Sequence, residues 1–377
     1  MCQGRPRRAV LGALSNCLSR ARAAPSSSAQ AKCLEPNIHL VAGVHPDSVI
    51  FTNKGPTLMK DEERVAMVKA CKWVDEVAFG MAYGCDCKLL DSLDCEYCVH
   101  GDDMPVDPSG NSVYQDVIDN NRCRIIKRTE GVSTTELVGR LLSMSREHLM
   151  KRGNDGGSES ESASASANEA ATGAGAQKKG LLGGISNFLP TSHRLTQFAN
   201  ADNPLHKATK VVYVDGDWDL FHLGHVEFLE RAAKLGDFVL VGVHDDAVVN
   251  AAKGVNFPIM GLHERVFNVL SCKYVNDVII GAPWALTQDM LKTMNIQVVV
   301  VHADNIKSSI SDQLSADPYA VAREAGILEQ TEFKATIDTD VLIERMIENR
   351  KAYVKRNEKK GKAEMEYLAN KTFIQEK

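Results

Sequence analysis

The chain has 377 residues, a quarter of them charged, and a formal net charge of −5. This length suffices for two domains of ordinary size, and the slightly acidic balance argues against a nucleic-acid-binding surface. No apolar stretch reaches the roughly 18 residues that a membrane-spanning helix needs. Ten cysteines scattered over core-like segments indicate reduced thiols in a reducing compartment.

The first 29 residues have the composition of a leader that is unrelated to the rest of the chain. They contain several arginines and serines and no acidic residue, which is typical of an organellar transit peptide. Two explanations are open at this point: a genuine leader that directs import into an organelle, or an incorrect start of the sequence.

Residues 30–150 and 210–350 are predicted to be two copies of one domain. Matching stretches recur in the same order, namely 40–47 with 240–246, 53–77 with 252–278, and 99–103 with 301–305. The match places Lys54 opposite Lys253 and Arg64 opposite Arg265. Residues 151–209 form the connecting linker, and its Gly/Ser/Ala/Glu-rich part, to about residue 180, is predicted to be disordered.

Each copy alternates short Val/Ile-rich runs with helical patterns. In the second copy, strands are predicted at KVVYVD, FVLVGVH, DVIIGA and QVVVVHA. Strands that alternate with helices predict an α/β fold with a parallel sheet covered on both faces. Ligands of such sheets bind beyond the carboxyl ends of the strands. We therefore expect His222, His244 and His302, which follow three of these strands, to converge on one crevice.

The stretch HLGH places His222 and His225 on either side of Gly224, where a strand passes into a helix. Their spacing puts both imidazoles on one side of the first turn, and the free N–H groups of a helix start attract anions. This pattern favours a phosphate site. The alternative is a pair of surface histidines that cap a helix.

A second phosphate site is predicted at KRTEGVSTTELVGRLL, residues 127–142. Arg128 precedes a Thr-x-Gly turn, and Ser133 to Thr135 supply hydroxyls where an amphipathic helix begins. An ordinary helix cap would account for Ser133 but not for Arg128. Cys85, Cys87, Cys95 and Cys98 raise the alternatives of a zinc site and of free cysteines, and their irregular spacing favours free cysteines.

The sequence DGDWDLFHLGH, together with RTEGVSTT, resembles the cytidylyltransferases of the HxGH nucleotidyltransferase superfamily. Trp218 stands where the family usually has phenylalanine. The resemblance implies two tandem Rossmann-like nucleotidyltransferase domains. It assigns catalytic roles to His222, His225, Lys253, Arg128, Thr129, Ser133 and Thr134. It assigns nucleotide binding to Asp217, Trp218, Leu223, Gly224, His302, Asp304, Thr339 and Lys54. It assigns substrate binding to His100, Asp102 and Asp103, and it assigns no residue as a metal ligand.

The tandem arrangement resembles the branch of the family that uses phosphoethanolamine. The implied reaction joins CTP and phosphoethanolamine to give CDP-ethanolamine and pyrophosphate, with Mg²⁺ on the triphosphate and no organic cofactor. The resemblance also implies a homodimer and a cytoplasmic location, with peripheral attachment to the endoplasmic reticulum or mitochondrial outer membrane as an alternative. The charged tail, 351–377, is predicted to be a helix that packs one edge on the domain, and membrane-surface binding is the alternative.

The chain departs from the family pattern in both copies. Ala23 and Ser26 stand where the first copy should carry its histidine pair, and FKATIDTD, which retains Thr339, replaces the Arg-Thr-x-Gly motif in the second copy. The leader replaces the opening strand of the first copy, so we expect that sheet to lack its central strand and the first half to fold poorly. An alternative function is a protein that binds nucleotide without turning it over.

Overall fold

The computed structural model describes residues 7–12, 23–35, 37–102, 104–105, 112–126, 139–140, 208–254, 257–302, 317–331, 335–355 and 358. The predicted linker falls almost entirely outside these residues. So do the candidate site residues Asp103, Arg128, Thr129, Ser133, Thr134 and Asp304.

The first sheet has five parallel strands in the order β3-β2-β1-β4-β5. Its strands are β1 (Arg8–Leu11), β2 (His39–Val44), β3 (Glu76–Phe79), β4 (Tyr97–Gly101) and β5 (Cys123–Ile126). The helices between them are α1 (Ala23–Lys32), α2 (Asp47–Lys54), α3 (Asp61–Lys69), α4 (Cys87–Ser92) and α5 (Gln115–Asp119).

The second sheet repeats this topology. Its strands are β6 (Val211–Gly216), β7 (Phe238–His244), β8 (Asp277–Ala282), β9 (Ile296–His302) and β10 (Leu328–Thr331), in the order β10-β9-β6-β7-β8. The helices are α6 (Leu223–Ala233), α7 (Asp246–Lys253), α8 (Leu262–Ser271), α9 (Gln288–Thr293), α10 (Ala320–Glu324) and α11 (Thr339–Glu348). In each sheet the first strand is central, which confirms the predicted tandem α/β fold.

The expectation that the first sheet lacks its central strand is wrong. Residues Arg8–Leu11 of the leader form β1, which pairs with β2 on one side and β4 on the other. Ala9, Val10 and Leu11 are at most 3% exposed. Three consecutive apolar residues suit a strand that is covered on both faces. The backbone edges from which poor folding was expected are therefore paired.

The first helix of the first copy is also present, but without histidines. Helix α1 lies between β1 and β2, as α6 lies between β6 and β7, and the described residues Ala29 and Ala31 on it are buried. It begins at Ala23, the position that corresponds to His222. The histidine pair of HLGH therefore belongs to the second copy.

The two copies pack against each other through equivalent segments. Cys71 and Cys272 face each other in an isolated antiparallel bridge. On its two sides, the N–H of Lys72 donates to the Ser271 carbonyl oxygen at 2.9 Å, and the N–H of Lys273 donates to the Ala70 carbonyl oxygen at 2.8 Å. Such reciprocal hydrogen bonds are expected when an approximate twofold axis relates the two copies.

A shared apolar core joins the two copies. It combines Leu40, Leu58 and Met59 from the first copy with Leu220 and Met346 from the second. The described part of the predicted tail belongs to this core, since Tyr353 is fully buried in it. The rest of the predicted tail lies almost entirely outside the described residues.

The cysteines of the first copy are part of an apolar cluster. Cys85, Cys95 and Cys98 are buried among the side chains around Val10 and Val41, and the described cysteines are free thiols. Among the residues of known placement, no helix combines the length and low charge needed to cross a membrane.

Candidate functional site

The loop between β6 and α6 turns sharply at the carboxyl end of the central strand. Trp218 and Leu220 have φ values of +55° and +46°, which non-glycine residues seldom adopt. Both side chains are buried, and the indole Nε1 of Trp218 donates to the Gly242 carbonyl oxygen at 2.9 Å. The tryptophan therefore fits where phenylalanine is usual because its N–H has a partner.

Asp219 holds this loop against the segment that precedes α8. Its fully buried carboxylate accepts hydrogen bonds from the N–H groups of Ile259 at 2.6 Å and Met260 at 2.9 Å. Burial raises the pKa of Asp219 to about 6, and the two N–H groups oppose that rise. Asp219 is not among the predicted site residues, although it lies in the DGDWD stretch.

Asp217 and Lys253 form an ion pair at the same end of the sheet. Burial raises the pKa of Asp217, but the Lys253 ammonium outweighs burial and holds that pKa at about 2. Lys253 is the last residue of α7, and its side chain remains 45% exposed. A partly exposed cation therefore stands beside the histidine loop, where an anionic ligand can reach it.

His222 and His225 stack at the start of α6. Their ring centroids are 3.8 Å apart, and the backbone N–H of His222 donates to the ring atom Nδ1 of His225 at 3.2 Å. Burial lowers the pKa of His222 to about 4 and that of His225 well below its usual value. Both rings are thus neutral near pH 7. Because Nδ1 of His225 accepts a hydrogen bond, its proton is on Nε2, which can donate to an anion.

Gly224 lets the start of α6 approach the segment that leads into α11. A Cβ atom at this position would lie 2.3 Å from the Ile337 carbonyl oxygen, a separation that side chains do not tolerate. Close by, Thr339 Oγ1 lies 3.4 Å from Nε2 of His222. Glycine is therefore required at position 224 because the two backbone segments pack too closely for a side chain. Leu223 is half-buried and packs against two apolar clusters, the shared core of the two copies and the cluster around Trp218.

Arg265 connects the loop to the neighbouring strand end. This fully buried side chain donates to the carbonyl oxygens of Asp217 at 2.5 Å and His244 at 2.7 Å, and it pairs with Asp246 at 2.6 Å. The repeat had paired Arg265 with Arg64 without giving either a role. An arginine that recurs at the same place in both copies is the sequence feature from which a structural role could have been predicted.

The other two histidines of the expected crevice have different neighbours. His244 Nδ1 donates to the Ala282 carbonyl oxygen at 3.2 Å, and the ring of His302 meets the ring of Phe228 edge-on at 6.4 Å. The residues that the structure brings together are Asp217, His222, His225, Lys253 and Thr339.

The candidate residues of the first copy lie around its own sheet. The ammonium of Lys54 lies 5.4 Å from the ring centre of Tyr83. The His100 ring lies 4.6 Å from that of Tyr114, and its Nδ1 donates to the Gly101 carbonyl oxygen. Asp102 is exposed just beyond β4.

Comparison with known proteins gives a consistent result. The sequence profile described as cytidylyltransferase-like matches residues 29–151 and 213–345. An ethanolamine-phosphate cytidylyltransferase of Dictyostelium discoideum is 44% identical over 329 residues, which cover 87% of this chain and 88% of the relative. Relatives of the same name from Arabidopsis thaliana and Mus musculus are 42% and 38% identical. The alignments cover 89% and 88% of this chain, and 80% and 84% of those relatives.

Proposed function

Because the chain belongs to the cytidylyltransferase-like family, we propose that it transfers a cytidylyl group from CTP to phosphoethanolamine, releasing pyrophosphate. One observation carries the proposal: the stacked histidines of HLGH stand beside the Asp217–Lys253 pair at the carboxyl end of the central strand β6. The names of three relatives that align over most of the chain support the choice of acceptor.

The proposed reaction is a direct displacement at the α-phosphorus of CTP. A phosphate oxygen of phosphoethanolamine attacks that phosphorus, and the bond to the oxygen that bridges the α- and β-phosphates breaks, so the electron pair leaves with pyrophosphate. The Nε2–H of neutral His225 and the free N–H groups at the start of α6 donate to phosphoryl oxygens as negative charge builds there. Lys253, paired with Asp217, supplies a positive charge beside the loop.

The remaining candidate residues are assigned by the family resemblance. Under the proposal, Arg128, Thr129, Ser133 and Thr134 bind phosphate together with the histidines. Trp218, Leu223, Gly224, His302, Asp304, Thr339 and Lys54 surround the nucleotide. His100, Asp102 and Asp103 bind the amino-alcohol substrate.

Mg²⁺ fits this site as an ion that arrives with the triphosphate. The histidine loop itself contains Asp217, whose carboxylate is not fully buried and is already paired with Lys253. Mg²⁺ prefers phosphate and water oxygens and needs few protein ligands. Asp217 is the residue that would contact the hydrated ion, which when bound neutralises charge on the leaving pyrophosphate.

A second candidate function is nucleotide binding without turnover. It is favoured by Ala23 and Ser26, which occupy the positions of the histidine pair at the start of α1. In that case the second copy would hold CTP through His222, His225 and Lys253, and no CDP-ethanolamine would form.

The test is an assay of the purified full chain with CTP, Mg²⁺ and either phosphoethanolamine or phosphocholine. We expect CDP-ethanolamine and an equal amount of pyrophosphate, with phosphocholine a much poorer acceptor. Binding of CTP in calorimetry without product from either acceptor would establish the second candidate. Preference for phosphocholine would contradict the proposed acceptor.

Association of the chain with itself and with membranes remains a prediction of the family resemblance. Sedimentation velocity tests homodimer formation. Flotation with phosphatidylcholine vesicles, with and without an anionic lipid, tests peripheral attachment to a membrane such as that of the endoplasmic reticulum or the outer mitochondrial membrane.

A further inference from the structure

Arg140 reaches from the first copy into the second. It lies on helical backbone that follows the RTEGVSTT sequence. Its Nη1 donates to the Ile259 carbonyl oxygen at 3.0 Å and to Oε2 of Glu264 at 2.9 Å. Glu264 is in the first turn of α8, and its side chain is only 13% exposed. A charge-assisted contact with such a carboxylate is one of the stronger kinds of polar contact in a protein.

The groups that Arg140 contacts are those that hold the histidine loop. Ile259, whose carbonyl oxygen accepts from Arg140, donates its own N–H to Asp219 at 2.6 Å. The same Oε2 of Glu264 accepts from the N–H of Gly261 at 2.7 Å and so fixes the start of α8. His222 follows Asp219 closely in the same loop. Two hydrogen bonds and a short stretch of chain therefore connect Arg140 to the histidine pair.

The equivalent contact exists on the other side of the approximate twofold axis. Arg345 of the second copy donates to the Leu58 carbonyl oxygen at 2.9 Å and to both oxygens of Glu63 at 2.7 and 2.8 Å. Leu58 and Glu63 correspond to Ile259 and Glu264 in the repeat. Recurrence of the same pattern in both directions shows that the arginine contact is a built feature of the packing between copies.

We propose that Arg140 is a positioning residue through which the first copy holds the histidine site of the second copy in place. Loss of this guanidinium frees the segment 259–261 and with it the carboxylate of Asp219, so the loop that carries His222 and His225 changes its average position. The proposal deepens the function proposed above and rests on it for the link to CTP. The predicted change in the position of the histidine loop does not depend on whether the chain turns CTP over.

The test compares Arg140→Gln with Arg122→Gln in the full chain. Arg122 is a matched control because it also bonds a carboxylate, Asp91 at 2.7 Å, and a carbonyl oxygen, that of Glu96 at 2.8 Å, but within the first copy. The first readout is the pair of imidazole ¹⁵N resonances of His222 and His225 in ligand-free protein, assigned with the His222→Gln and His225→Gln variants. The second is the Kd for CTP.

We expect Arg140→Gln to shift both imidazole signals and to raise the Kd for CTP at least about fivefold, while Arg122→Gln changes the Kd less than about twofold. Arg140→Lys should restore part of the affinity, because it keeps the charge but not the fork of donors. Unchanged histidine resonances in folded Arg140→Gln protein would overturn the proposal, whether or not the wild-type chain binds CTP. Failure of the wild-type chain to bind CTP would instead count against the proposed function.

Discussion

The histidine pair owes its chemistry to burial. His222 is 4% exposed, and its ring packs on His225, which in turn contacts Trp218 and Phe221. Removing an imidazolium from water is costly, so the rings stay neutral in the folded chain. Neutral rings are suitable donors to a phosphate in a water-poor site, but they couple the stability of the fold to pH.

We predict that His222 makes the fold lose stability between about pH 6.5 and pH 4. Burial lowers the pKa of His222 to about 4, so as the pH falls below about 6.5 the unfolded chain takes up a proton that the folded chain does not. The loss from this one group reaches at most about 3 kcal/mol at pH 4.

Urea denaturation of wild-type protein and the His222→Gln variant across this pH range measures the effect. The variant should lose less stability than the wild type as the pH falls. Parallel pH dependences of the free energy of unfolding would show that His222 is not buried in its neutral form.

Gly224 provides a second prediction at the level of a single residue. Gly224→Ala should lower the free energy of unfolding by about 1–3 kcal/mol, because the new methyl group would overlap the Ile337 carbonyl oxygen and push α6 from α11. Gly261→Ala is the control, since a Cβ there has its nearest neighbours at 3.8 Å. Equal stabilities of the two variants in denaturant melts would contradict the packing described for Gly224.

Among the elements, β1 is the one that was expected to be missing from its sheet. Only four residues long, it lies in an arginine-rich segment with no alternating pattern, and it becomes a strand because β2 and β4 offer backbone partners on both sides. By contrast, β7 and β8 match the predicted strands to the residue, because long β-branched runs bounded by polar residues are a local signal. Pairing over a long distance in the chain leaves no such local signal.

Val10→Asp should therefore unfold the first sheet. Val10 is 1% exposed at the centre of that sheet, where an unpaired carboxylate costs several kcal/mol. Limited proteolysis should then cut the first copy much faster than in wild-type protein. Ile125→Asp is the matched control, because Ile125 is 60% exposed on the edge strand β5. Similar resistance of both variants would show that β1 does not contribute to the fold.

The two copies complement each other structurally. The duplication could be recognised from the sequence because equivalent stretches recur in order, and the predicted residues His222, His225 and Lys253 lie at the same end of the second sheet. The contacts between copies could not be predicted, since Arg140–Glu264, Arg345–Glu63 and the Cys71–Cys272 bridge join residues far apart in the chain. The shared core and these contacts make the first copy part of the support for the histidine site.

We predict that the histidine pair of the second copy carries out cytidylyl transfer. The test is the rate of CDP-ethanolamine formation by wild-type protein, by His225→Ala and, as a control, by His39→Ala, which changes the first residue of β2. We predict that His225→Ala lowers kcat at least about 100-fold while His39→Ala leaves it within about twofold. Product formation by His225→Ala at the wild-type rate would contradict the claim.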